Sequence, residues 1–265
     1  MNPFPDACAN EARETISRSN PLADCPHLTA PTRLTRIDPA QPDHALADAF
    51  SSYVLDGDHP CVMARSVVNR KQVFAASYGG LGDEGQCAAV CHDLYEVLSV
   101  SEEEAGLYSL AAAFPDHAFH SEQAFEDALW EQLMCMHEVD RQLFPWDPCV
   151  SEDPSDPEFS FSVGGAAWYV VGLHPRSSRK SRRFQTPTLI FNRHAQFEAL
   201  REAGRYDSMR DQIRQRDVEL QGSVNPMLKN HGEASEAIQY SGRAAGRGWQ
   251  CPFAHDQAPA VADDA

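Results

Sequence analysis

Reactive side chains are concentrated near the end of the chain. The segments NPMLKNHGEASEAIQYSGR (225–243) and GWQCPF (248–253) carry carboxylates, a tyrosine, a histidine, an arginine, a tryptophan and a cysteine. A stretch that only completes a fold does not need this density of ionisable and nucleophilic groups, so the pattern predicts a site. Its candidate residues are His231, Glu236, Tyr240, Arg243 and Cys251.

Cys251 precedes a proline and a phenylalanine. Proline lacks a backbone N–H, so the thiol stands beside a position that cannot donate a backbone hydrogen bond. This arrangement is one way in which proteins offer a thiolate to haem iron. It is also common without any ligand, and Cys25 has it too, so the step alone does not identify a site.

A basic run follows an apolar stretch in VVGLHPRSSRKSRRF (170–184). The apolar part predicts a buried strand, after which His174 and five basic residues invert the acidic charge of the chain. Arginine offers a planar fork of donors that suits carboxylates and phosphates. The alternative is a solvated turn that balances acidic neighbours. The arginines of the run are Arg176, Arg179, Arg182 and Arg183.

An acidic loop, WDPCVSEDPSDPEF (146–159), supplies further carboxylates, beginning with Asp147. A guanidinium or ammonium substrate needs such partners. A solvent-facing loop is the other interpretation, and it is the better one for most of these carboxylates. The prolines in this region exclude a helix.

Hydrophobic patterns predict the elements that must position these groups. Two strands are predicted over 59–68 and 72–80, a helix over 84–100, a strand over 106–114 and the longest helix from Ser121 onwards. The β-prone runs on either side of Gly164–Gly165 predict a tight hairpin. A further strand over 186–192 and helices over about 195–203 and 206–220 complete the series.

These elements predict an α+β fold, with one domain in which an antiparallel sheet is built from hairpins and covered by packed helices. Residues 1–45 are expected to form a mostly irregular arm and residues 46–254 the domain. The acidic residues 255–265 are expected to form a frayed tail.

The composition of the chain limits the kinds of binding partner that are expected. The 265 residues include 39 acidic and 22 basic ones, for a net charge of −17, and such a surface repels nucleic acid and anionic membrane. No stretch approaches the roughly 20 apolar residues of a membrane span. No signal peptide is visible, and the eight cysteines are too sparse for a disulfide scaffold. We therefore expect a cytoplasmic protein with reduced thiols. Cys87 and Cys91 fit buried free cysteines better than zinc ligands, and no other metal is expected.

The ordered motifs resemble a known family. FSFSVGG, VVGLHP, RDVELQGSVNPML, HGEASEAIQYSGR and W-x-CPF follow one another as in the YqcI/YcgG family, over roughly residues 58 to 254. The series is far more specific than any one motif. It is similar to the branch that contains the haem-dependent N-hydroxylases of guanitoxin biosynthesis and the arginine hydroxylases of D-cycloserine-type pathways. The resemblance implies a haem b cofactor and hydroxylation of a guanidino nitrogen of arginine or an arginine-like amino acid, in specialised metabolism.

The resemblance also gives roles to the candidate residues. Thiolate ligation favours O–O cleavage and histidine serves in peroxidases, so Cys251 and His174 are the first candidates for the axial ligand. The other candidates for that role are Cys61, His194 and His231. The four arginines of the basic run are candidates for holding the haem propionates.

For the substrate, Glu236 or Asp147 is expected to orient the guanidinium, with Tyr240 and Arg243 as further binding residues. The alternative for Glu236 is a helix-surface residue paired with Arg243. The oxidant is expected to be O2 or peroxide. Because no flavin or ferredoxin domain is visible in the sequence, electrons are expected from an external donor. Two other functions remain open: a haem-binding sensor or carrier without turnover, and an interaction protein without haem.

Overall fold

The computed structural model describes residues 34–41, 44–104, 108–227, 233–246 and 248–253. Residues 1–33 of the expected arm and residues 255–265 of the expected tail lie outside these ranges, as does His231.

Six strands and six α-helices are described, together with two short 3₁₀ helices, Lys180–Arg182 and Glu236–Gln239. The strands are β1 (Thr35–Arg36), β2 (Val73–Ser77), β3 (Ser109–Ala113), β4 (Phe161–Val163), β5 (Ala166–Leu173) and β6 (Thr188–Arg193). The helices are α1 (Ala45–Leu55), α2 (Val62–Asn69), α3 (Glu84–Glu103), α4 (Glu122–Asp140), α5 (Ala195–Glu202) and α6 (Tyr206–Gln221).

The strands form one sheet in the order β1-β2-β3-β6-β5-β4. Neighbours are antiparallel except β2 and β3, which run parallel. Parallel neighbours need a long crossover, and α3 supplies it. The predicted α+β class, with a single domain and a mostly antiparallel sheet, is confirmed.

Local signals fixed the start of α4 and the turn between β4 and β5. The Ser121 hydroxyl accepts a hydrogen bond from the Ala124 N–H at 3.1 Å and so caps α4. Gly164 and Gly165 both have a φ of 67°, which a two-residue hairpin turn requires and which glycine adopts without strain. A Cβ on Gly164 would lie 2.8 Å from Leu98 Cδ1. The predicted hairpin is confirmed.

The strand predicted over 59–68 is wrong, because Val62–Asn69 forms helix α2. Cys61 Sγ accepts a hydrogen bond from the Ala64 N–H at 3.4 Å and caps this helix, and Val68 is its buried residue. Capping and packing therefore override the strand propensity of the β-branched residues in this segment. Strand β2 pairs with β1 and β3 instead.

Helices cover both faces of the sheet. Trp168 and Val170 of β5 belong to the core under α3 and α4, whereas Val171 packs in the second core, under α1 and α2. Because side chains alternate along a strand, Tyr169 leaves β5 on the same side as Val171, and its ring also packs against the first core, where it meets Tyr240. Among the described helices, none is long and apolar enough to cross a membrane.

Candidate functional site

The structure brings together one subset of the sequence candidates around Tyr169. The Tyr169 hydroxyl donates to Gln239 Oε1 at 3.0 Å, and the rings of Tyr169 and Tyr240 meet at 5.9 Å. Arg182 donates to the backbone carbonyl of the same Gln239 at 3.0 Å. We call the group Cys61, Tyr169, Arg182, Glu236 and Tyr240 the β5 cluster.

Arg182 is a buried cation whose described hydrogen-bond partners are backbone carbonyls. Its Nη1 donates to the carbonyls of Gly172 and Tyr240, both at 3.1 Å, in addition to the bond from Nη2 to Gln239. Burial lowers the pKa of Arg182. Within the described part of the chain, no carboxylate is ion-paired with it, so the carboxylate of a ligand would stabilise this charge.

Cys61 stands at the first turn of α2, where helix N–H groups favour an anion. Burial raises the pKa of its thiol, whereas the hydrogen bond from Ala64 and the positive charges of Arg182 and Arg216 act to lower it. A metal ion bound at the sulfur would remove the cost of the buried charge, because a coordinating thiol loses its proton. Cys61 therefore has the surroundings of a thiolate ligand.

Glu236 is a partly buried carboxyl with two hydroxyl donors. Its Oε1 accepts from Ser160 Oγ at 2.8 Å and from the Tyr240 hydroxyl at 2.5 Å. Burial raises the pKa of Glu236 to about 7, against the effect of these two hydrogen bonds. The interpretation of Glu236 as a surface residue paired with Arg243 is not what the structure contains, since Arg243 binds Glu126.

A surface depression of about 420 Å³ is lined by Asp58, Arg216, Glu219 and Leu220, of which Asp58 and Glu219 are exposed. The charge of Arg216 acts on both His59 and Cys61. No hydrogen bond or ion pair of Arg216 is found within the described ranges. Arg216 and Arg182 thus offer two guanidinium groups near one thiol.

The remaining arginines of the basic run have other surroundings. Arg179 is buried, is ion-paired with Asp217 and donates to the Ser223 carbonyl at 2.8 Å. Arg176 and Arg183 are exposed, and Arg183 Nε donates to the Ser177 carbonyl at 3.0 Å. Only Arg182 of the four lies in the β5 cluster.

Cys251 and Arg243 lie elsewhere, against the core beside α4. Arg243 forms an ion pair with Glu126. The pKa of the Cys251 thiol is raised to about 12, mainly by burial and to a smaller extent by the negative charge of Glu126, while a hydrogen bond with the Phe253 backbone acts to lower it. The charges near Cys251 therefore oppose a thiolate, whereas those near Cys61 favour one.

Of the two described histidine candidates, His174 adjoins the β5 cluster, because its backbone N–H donates to the Arg182 carbonyl at 3.0 Å and the charge of Arg182 acts on its ring. His174 is 1% exposed, stacks on Phe125 at 4.3 Å, and its two ring nitrogens have no described hydrogen-bond partner. Burial lowers its pKa, which keeps the imidazole neutral. His194 begins α5, with Nδ1 at 3.8 Å from Glu198.

Asp147 supports the hairpin. Its Oδ2 accepts from the Ala167 N–H at 2.8 Å and its Oδ1 from the Cys149 N–H at 2.9 Å. Asp153 and Asp156 accept backbone bonds within the same loop. These contacts occupy the Asp147 carboxylate and leave Glu236 as the candidate carboxylate that reaches the β5 cluster.

Sequence reasoning did not select Tyr169, Ser160, His59 or Arg216. Tyr169 lies in a β-prone run, where an aromatic residue is ordinary. Arg216 lies in a helix with many charged residues, so its charge gave no separate signal. His59, which precedes Pro60 and Cys61, carried a local signal. Burial lowers the pKa of His59 to about 4, and its ring contacts Tyr53 at 5.0 Å.

A family model for the YqcI/YcgG family matches residues 50–254. Four of the five residues of the β5 cluster lie in the second half of this match, and Cys61 lies near its start. No curated protein and no solved structure gave a match.

Proposed function

Because this chain belongs to the YqcI/YcgG family, we propose that it is a haem-dependent N-hydroxylase that acts on the guanidino nitrogen of arginine or an arginine-like amino acid. The observation that carries the proposal is Arg182, a buried guanidinium that is held by backbone carbonyls and lies close to a cysteine at a helix N-terminus. These surroundings suit a ligand that combines carboxylates with a metal.

Haem b is such a ligand. Cys61 would bind the iron as thiolate, and Arg182 and Arg216 would hold propionates through charge-assisted hydrogen bonds. Bound haem would supply the activation of oxygen, which thiolate ligation favours. The N-terminus of α2 and the two arginines would stabilise the anionic sulfur.

Glu236 would orient the substrate. A guanidinium is planar and permanently charged, so a single carboxylate can accept two parallel hydrogen bonds from it. The cation would lower the pKa of Glu236 from about 7 and so hold the group as carboxylate. Ser160 and Tyr240 fix Oε1 in place by donating to it.

The overall reaction inserts one oxygen atom between nitrogen and hydrogen. With O2, two electrons and two protons from an external donor leave water as the second product. With peroxide, no external electrons are needed and water is again released. The chain supplies binding and orientation, and the donor or peroxide supplies the redox balance.

Absorption spectra of protein expressed with ample haem precursor test the cofactor. We expect a Soret band, and a red-shifted band of the ferrous carbon monoxide form that is lost in Cys61→Ser but kept in Cys251→Ser. A protein without any Soret band would overturn the proposal. Loss of the shifted band in Cys251→Ser, with the band kept in Cys61→Ser, would identify Cys251 as the axial ligand instead.

Turnover tests the enzyme. Haem-loaded protein with arginine, O2 and a reductant, or with peroxide, should yield a product heavier by one oxygen atom, detected by mass spectrometry. Homoarginine and cyclic guanidines extend the series. Haem binding without any product from these compounds would favour a sensor or carrier.

A further inference from the structure

A continuous row of oxidisable aromatic rings leads from the β5 cluster through the core. The rings of Tyr169 and Tyr240 are 5.9 Å apart, and Tyr240 stacks on Trp130 at 5.6 Å with an angle of 23°. Trp130 in turn lies 6.4 Å from Trp249. Trp130 and Tyr240 are fully buried, whereas Trp249 is only partly buried.

We propose that Tyr240, Trp130 and Trp249 form a path for single electrons between the protein surface and the candidate haem site. Electron transfer weakens steeply with distance, so a series of short steps between adjoining rings is faster than one long step. The role at the site rests on the proposed function, because a strong oxidant must form there to oxidise tyrosine or tryptophan.

Hydrogen bonding along the path suits this use. Tyrosine must release its proton when it loses an electron, and the Tyr240 hydroxyl already donates to Glu236 at 2.5 Å. Trp130 is 1% exposed and its Nε1 has no described partner. Without an acceptor, oxidised Trp130 keeps its proton and remains ready to take an electron from the next ring.

Tyr240 would give one electron to a strong oxidant at the site, and its phenolic proton would move to Glu236. Trp130 then gives an electron to Tyr240, which recovers its proton, and Trp249 gives one to Trp130. Trp249 releases its N–H proton to water. A soluble thiol then transfers a hydrogen atom to Trp249 and becomes a thiyl radical, two of which combine to form a disulfide. The net result is one electron moved from the thiol to the oxidant.

The path therefore protects the site rather than driving hydroxylation. Ordinary reductants do not pass electrons through tyrosine or tryptophan, because both side chains are hard to oxidise. An oxidant that forms at the site without substrate is strong enough to draw electrons along the row of rings. The oxidising equivalent then reaches a soluble thiol at the surface instead of modifying residues of the site.

Pulse radiolysis with azide radicals tests the path without haem. Azide radicals oxidise accessible tryptophan, which gives an indolyl radical and azide ion. At neutral pH tyrosine is oxidised more readily than tryptophan, so in this experiment the radical should pass inward from Trp249 to Tyr240. The outward direction at the site is uphill by the same difference and proceeds because the soluble thiol removes the Trp249 radical. We expect a decay of indolyl absorption that matches the growth of phenoxyl absorption, at a rate independent of protein concentration.

Trp249→Phe and Tyr240→Phe should each remove most of this phase, and Glu236→Gln should slow it, because an amide does not accept the proton. Trp146→Phe and Tyr95→Phe, which lie off the row, serve as controls. An unchanged phase in Trp249→Phe, which keeps an aromatic ring at this partly buried position, would overturn the path. Because the experiment needs no cofactor, its outcome is independent of whether haem binds.

Discussion

Arg179 and Asp217 form a buried ion pair that joins the turn after β5 to helix α6. Asp217 Oδ2 also accepts from the Asn225 N–H at 3.1 Å, so the pair connects three segments around the β5 cluster. We predict that Arg179→Ala lowers the free energy of unfolding by about 3–5 kcal/mol, because it leaves a buried carboxylate without its counter-charge. Chemical denaturation measures the change. Arg176→Ala, at an exposed position of the same run, should stay within about 0.5 kcal/mol of the wild type.

Arg182→Met should lower haem occupancy. The substitution removes a cation from the candidate propionate site and leaves three backbone carbonyls without this donor, which costs about 1–3 kcal/mol of stability. Arg183→Met, one residue away and exposed, is the matched control. Haem content per protein is measured after loading with excess haem. Equal occupancy in the two variants would assign Arg182 a purely structural role.

Glu236→Gln should weaken the binding of guanidino substrates and leave the haem spectrum intact. The amide keeps the size of the side chain but cannot offer two anionic acceptors. Lysine should bind poorly to the wild type, since its point charge does not use a bidentate site. Spectral titration with arginine, homoarginine and lysine gives the affinities. If lysine binds as well as the guanidines, the assigned substrate class is wrong.

The sequence predicted the features that depend on neighbouring residues. Ser121 predicts the start of α4 because its side chain caps the helix. Gly164–Gly165 predicts a tight turn because the turn needs positive φ angles, which other residues adopt only with strain. Glu236 and Tyr240 were selected together because both lie in the segment 225–243, where reactive side chains are concentrated. The proximity of Cys61 to Arg182 depends on the packing of α2 against the sheet, and no local pattern records it. The segment that follows Cys61 was predicted as a strand because its valines favour a strand. The cap that Cys61 makes shows only in the structure.

Asp140 should make stability depend on pH. Burial raises its pKa to about 7, although Tyr95 and the Gly164 N–H donate to it. Its folded pKa exceeds the ordinary value, so the folded state binds the extra proton. Its stabilising effect is therefore fully present at low pH and is lost as pH rises towards and through 7.

We predict that Asp140→Asn flattens the fall in the free energy of unfolding between about pH 4 and pH 8. Asparagine keeps the acceptor for both donors but does not ionise. Urea unfolding over this range gives the comparison. Asp127→Asn, on the exposed side of α4, should leave the slope as in the wild type. A parallel slope in Asp140→Asn would show that other groups determine the pH dependence.

Gly164→Ala should destabilise the protein more than Gly204→Ala. Both glycines have positive φ, 67° and 63°, so both substitutions carry backbone strain of about 1 kcal/mol or more. A Cβ on Gly164 additionally meets Leu98 and Tyr95, whereas a Cβ on Gly204 meets no atom within 4 Å. Thermal unfolding of the two variants isolates the steric part, and equal losses would mean that Leu98 moves away freely.

The order of the strands has a consequence for synthesis on the ribosome. β3 is paired with β2 on one edge and with β6 on the other, and Ser109 and Asn192 of the latter pair are 83 residues apart in the chain. The nascent chain can therefore assemble β2, α3 and β3 long before β6 leaves the exit tunnel. During that interval, the second edge of the apolar strand Ser109–Ala113 is open to pairing with other chains. We therefore expect this edge to need protection, for example by chaperones, until β6 has been synthesised and pairs with β3.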